Sequence, residues 1–140
     1  MAKNEVDSAI QRLLKLGVKV TKLWENASPN SAFAAQRLDV PWEEQDFLYV
    51  EHKYDNSNDS YRTCTLTLCK LGYRAHFESL YLTSTGPMRG TDRIINLDKT
   101  GSLYVNNGWY QVSNTSGSPN TSYVIPTIIL GIKLLGGGQA

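Results

Sequence analysis

The sequence predicts an all-β protein: an antiparallel sandwich, jelly-roll-like, of about nine strands preceded by a short N-terminal helix. Three observations lead there. From Val18 onward polar and apolar residues alternate with a period of two. Clusters of Asn, Asp, Gly, Pro and Ser interrupt that alternation roughly every eight to twelve positions. Finally, no second helical stripe separates one strand-like segment from the next.

The helix comes first. In "KNEVDSAIQRLLKL", residues 3–16, Val6, Ile10, Leu13 and Leu14 recur at spacings of three and four and form one apolar stripe. Gly17 follows, where a helix C-cap glycine belongs. A helix this short is marginal alone in water, so its stripe has to dock. Three partners are open to it: its own domain, another protein, or copies of itself around a symmetry axis.

The strands are "VTKLWE", "FAAQRLDV", "DFLYVEHKY", "RTCTLTLCK", "RAHFESLYL", "DRIINLD", "SLYVNN", "WYQVS" and "SYVIPTIILGIKL". The clearest alternation sets Thr63, Thr65 and Thr67 against Cys64, Leu66 and Leu68, which predicts a wet threonine face and a leucine face in the core. "DKTG" and "NNG" mark tight reversals, so residues 93–112 read as consecutive hairpins. The domain boundaries that follow are an attachment segment over 1–21, the sandwich over 22–135 and a flexible Gly-rich tail over 136–140.

The closing segment, "YVIPTIILGIKL", is apolar at nearly every position. Pro126 cannot donate to a ladder and belongs at an edge or bulge, while Gly131 invites close approach of another backbone. Such a strand at an open edge is an aggregation hazard, and oligomerisation is its natural cover. The expectation is a homo-oligomer, a trimer by preference. Its contact and attachment residues are Phe33, Ile125, Ile128, Leu130 and Ile132, with the helix residues Val6, Ile10, Leu13 and Leu14.

Composition is that of an ordinary globular chain, with 41% hydrophobic and 19% charged residues and a net charge of +1. That balance gives no reason to expect nucleic acid as a partner. It hides an asymmetry: Lys3, Arg12, Lys15, Lys19 and Lys22 outweigh Glu5 and Asp7 in residues 1–22. Seven acids, including Glu43, Glu44 and Asp46, face only Lys53 across residues 39–59. No secretory signal and no membrane-length apolar run is present, so no membrane insertion is expected. Cys64 and Cys69 fall on opposite faces of one strand, too mismatched to bridge, and read as reduced thiols of a chain made in a reducing cytoplasm.

Few residues fall into a catalytic pattern. His52 and His76 have no metal-pair spacing, and no nucleophile elbow, phosphate loop or zinc motif occurs, so no catalytic residue, metal or cofactor is expected. Glu43 and Glu44 beside Trp42 offer the one pair of acids suited to a hydrolase of surface polysaccharide. Binding fits better. Trp109, Tyr110, Asn106 and Asn107 in "YVNNGWYQ", with Trp42, combine flat aromatic faces and amides as a saccharide site requires. The competing reading is that these aromatics fill the core.

Two stretches carry a family likeness. "KLWENASPNSAFAAQRLDV", residues 22–40, and "YVIPTIILGIK", residues 123–133, resemble small all-β modules near the ends of tail-, fibre- and virion-associated proteins of tailed bacteriophages. "DFLYVEHKY" and "DRIINLDKTGSLYVNNG" agree more loosely. The resemblance implies a non-enzymatic virion structural protein, made in the host bacterial cytoplasm and partnered by other virion proteins. The helix would then attach it to capsid, neck or tail, and the sandwich would project outward. Recognition of a host-surface glycan is the alternative, and polysaccharide hydrolysis the third.

Overall fold

Period-two alternation folds into two antiparallel sheets packed as an all-β sandwich, with one short helix outside. The computed structural model describes residues 3–15, 17–81, 88–112 and 116–135; the tail over 136–140 and the side chains of Leu13 and Leu14 lie outside the described residues. The first sheet has the order β1 (Val18–Glu25), β10 (Tyr123–Leu134), β3 (Phe47–Asp55), β4 (Arg62–Leu68). The second runs β2 (Gln36–Asp39), β7 (Ser102–Val105), β6 (Arg89–Lys99), β8 (Trp109–Val112), β9 (Ser118–Pro119). On the other side of β6 lies β5 (Arg74–Tyr81).

Between the sheets, Leu48, Val50 and Ile129 join Phe77, Ile95, Leu97, Leu103 and Val105 in one core cluster. Each such side chain contributes about 1.5–3 kcal/mol on burial. Gly101, with φ 80, makes the tight turn between β6 and β7 that "DKTG" predicts. Ser118–Pro119 is too short for alternation to reveal.

Four expectations change. First, β10 is not an edge strand. It lies between β1 and β3, paired along both sides, so its apolar composition reflects a central strand. Pro126 sits at a bulge against β3, and the Gln45 side chain rather than a neighbouring backbone fills the space over Gly131. Second, of the three partners left open for the helix, α1 (Lys3–Lys15) takes its own domain and not an attachment contact: Val6, Ala9 and Ile10 cover Val20, Tyr49, Ile128, Leu130 and Ile132 around a cavity of about 90 Å³. Phe33 and Ile125 belong to the core, not to a subunit contact. Third, the sandwich begins at Val18, which already pairs with Leu134, so residues 18–21 belong to it.

The fourth change is in β4. Thr67 is buried and Thr63 hydrogen-bonds the buried His52, whereas Leu66 and Leu68 are 59% and 47% exposed. Cys64 is exposed beside them and Cys69 half-buried; both are free thiols. The alternation is present, but the face turned inward is the threonine one. Pairing of Leu66 with Tyr49, and of Leu68 with Phe47, places the leucines on the outer side that α1 also covers.

Candidate functional site: a groove across the second sheet

The outer side of the second sheet is polar, and three of its side chains form one row across three strands. Glu78 on β5 is directly opposite Asp92 on β6, which is directly opposite Trp109 on β8. Directly opposed residues in antiparallel strands project to the same face. The next row contains Gly90 opposite Gln111. Because Gly90 carries no side chain, the row beside Trp109 is a depression of about 450 Å³ lined by Glu78, Ser79, Gly90, Asp92, Trp109 and Gln111. A second depression, about 300 Å³, continues past the indole between Asp92, Ile94, Asn106, Asn107 and Trp109. Trp109 is 40% exposed and stands between the two.

Buried chemistry positions that indole. Arg93, one residue beyond Asp92, points inward and is fully buried. Its Nη1 donates to the Asn106 carbonyl at 2.6 Å and its Nη2 to the Tyr123 carbonyl at 3.0 Å. The guanidinium also lies over the Phe33 ring, 5.3 Å from its centroid. Burial pushes its pKa down to about 10, so the cation persists at neutral pH, held by carbonyl oxygens. These bonds fix the loop leading to Trp109. Gly108 in that loop has no room for a Cβ between the Asn120 and Tyr123 carbonyls. Val124, next to the clamped carbonyl, takes φ 52, a left-handed backbone rarely adopted by a β-branched residue. Gly117 completes the support, since a Cβ there would overlap the indole.

Of the sequence-predicted contacts, Trp109, Asn106 and Asn107 line this groove. Asn106 also accepts a hydrogen bond from Asn96 at 2.9 Å, and Asn107 Oδ1 accepts one from the Ala35 N–H at 2.8 Å. Tyr110 does not line it: it is opposite Thr91 on the inward register and stacks on Tyr123 at 4.8 Å. Trp42 is a correction. It is buried, its Nε1–H donating to the Ser102 and Lys99 carbonyls at 2.7 and 3.1 Å, so its face is unavailable to a sugar. Glu43, on the one-turn helix Trp42–Glu44, accepts from the Gly101 N–H at 3.0 Å and supports a hairpin turn.

Sequence reasoning missed His76, Glu78, Asp92 and Gln111. His76 Nε2 lies 3.3 Å from Glu78 and 3.2 Å from Asp92. One ligand atom from each of the three lies within 4.8 Å of the others, a donor set that suits a divalent cation, and all three are solvent-accessible. The available signal was polar residues two apart, His76 with Glu78, and Asp92 opening the next strand, on segments read only as structure. No family model and no curated protein matches the chain. Among the described residues, no helix is long and apolar enough to cross a membrane.

Proposed function

We propose that this chain is a non-enzymatic structural module of a phage virion, assembled as a homo-oligomer, a trimer in our reading, that projects its sandwich outward. The observation that carries this is the meeting of the two segments on which the resemblance rests. Asn26, in "ENASP", donates from its backbone to the Thr127 carbonyl at 2.8 Å and from Nδ2 to the Pro126 carbonyl at 2.9 Å. Lys22, Trp24 and Glu25 pair with Leu130, Ile129 and Ile128 across the β1–β10 ladder. Segments about a hundred positions apart thus pack against each other within one fold. Support for self-association comes from β4, which among the described strands pairs on one side alone and whose outward Leu66 and Leu68 are exposed. The partner proposed for it is the sister copies of this chain, their β4 faces gathered round a three-fold axis.

Electron microscopy of intact particles, with labelled antibody against this chain, should place copies at regular positions on head, neck or tail. Light scattering of the purified chain should give a mass close to three times that of the monomer. A monodisperse monomer at micromolar concentration, together with particles that bear no copies, would end this reading.

A recognition role within that setting is favoured by one specific observation: a semi-exposed tryptophan flanked by carboxylates and amides across a preformed groove. An aromatic face takes the apolar face of a pyranose and the polar groups take its hydroxyls. The groove is proposed to contact saccharide on the host surface.

A further inference from the structure

We propose that the groove beside Trp109 selects a cationic amino sugar, with the pyranose face on the indole and its ammonium between the Glu78 and Asp92 carboxylates. This rests on the saccharide reading and names the class of saccharide.

The sheet carries a like-charge pair that its stability does not require. Glu78 and Asp92 are directly opposed on neighbouring strands, and like charges in that position repel. A sheet built only for stability would place opposite charges or β-branched residues there. Among the described residues lining the depression there is no lysine or arginine to offset the two carboxylates. The nearest basic group, His76, touches both through a single nitrogen. The rim therefore carries negative charge toward a ligand, repels a uronate or sialylated chain, and gives a neutral sugar stacking and hydrogen bonds without charge attraction.

The groove also leaves open space beside that pair. A Cβ at Gly90 would meet nothing within 4 Å, so no packing demand requires glycine there. What its absence of side chain provides is room of about 450 Å³ next to both carboxylates and the indole. That is the scale of a small-ligand site. An ammonium at this point is also within reach of the electron-rich indole face. Because Glu78 is largely exposed and Asp92 partly so, solvent screens the pair and limits the gain to a moderate preference.

Titration calorimetry at low salt tests the assignment with three tetrasaccharides: glucosamine with its amines charged, N-acetylglucosamine, and galacturonate. The glucosamine tetramer should bind about tenfold more tightly than the N-acetylated one, with galacturonate weakest. Glu78→Gln combined with Asp92→Asn should remove that preference without lowering Tm, since it relieves a repulsion. Gly90→Leu should abolish binding of all three while leaving the circular dichroism unchanged. Equal affinities for the glucosamine and N-acetylglucosamine tetramers, both lost in Trp109→Ala, would overturn the ammonium assignment and leave the saccharide reading standing. Binding of none of the three, or binding indifferent to both Trp109→Ala and Gly90→Leu, would overturn both.

Discussion

Residues that sequence alone treats as surface or loop turn out to carry buried polar chemistry, and His52 is the case with the sharpest consequence. It lies on β3 against Phe77, ring centroids 4.3 Å apart, with Thr63 Oγ1 2.8 Å from its Nε2. Burial, reinforced by the Arg93 charge and opposed by Glu51, holds its pKa down at about 4. The sign follows from proton counting. Between pH 4 and 6.5 the unfolded chain binds a proton at this site and the folded chain does not, so stability rises with pH across that window. It is fully present above pH 6.5 and is lost on acidification toward pH 4, by roughly 3 kcal/mol at most. Urea unfolding at pH 7 and pH 4.5 should show a larger loss for the wild type than for His52→Gln, which carries no titrating ring. Parallel losses in the two proteins would remove His52 as the cause. Lys53 next to it is also buried, its ammonium donating to Asn30 Oδ1 and the Pro29 carbonyl, and burial lowers its pKa.

Elements were legible to different degrees, and the reasons are physical. The helix, the turn at Gly101 and most strands follow from local periodicity and turn chemistry, which act within a few residues. Strand position in a sheet does not. A largely apolar β10 is equally consistent with an edge covered by a neighbour and a centre covered by β1, β3 and α1, and only long-range pairing decides. In β4 the period was right and the facing wrong, because alternation fixes which residues share a side and is silent on which side is buried. Half of the groove was legible in "YVNNGWYQ"; the carboxylate half required β5, β6 and β8 to come together. The outward leucines now carry the assembly argument. Leu66→Gln with Leu68→Gln removes exposed apolar surface, so the folded subunit should change by no more than about 0.5 kcal/mol. Light scattering should nonetheless report a monomer, if β4 is the contact between copies. A variant that stays oligomeric would move the contact elsewhere.

At the scale of the molecule the two proposed roles fall on different outer faces. Opposite sides of a sandwich point in opposite directions, so the β4 and α1 side can associate with sister copies while the Trp109 groove stays open on the other. A single shallow groove, polar and largely solvated, gives weak monovalent binding. Several grooves on one assembly facing a repetitive polysaccharide gain by effective concentration, and avidity can exceed the single-site affinity by 10²–10⁴ without any new contact. The two properties should therefore separate by mutation. The Leu66→Gln, Leu68→Gln variant should keep the wild-type affinity for a short soluble oligosaccharide and lose about a hundredfold in retention on a polysaccharide-coated surface. Trp109→Ala should lose both and remain oligomeric. Calorimetry for the soluble ligand and interferometry for the coated surface read the two quantities independently. If the leucine variant is monomeric and still held by the surface as firmly as the wild type, one groove suffices and the assembly has no part in recognition.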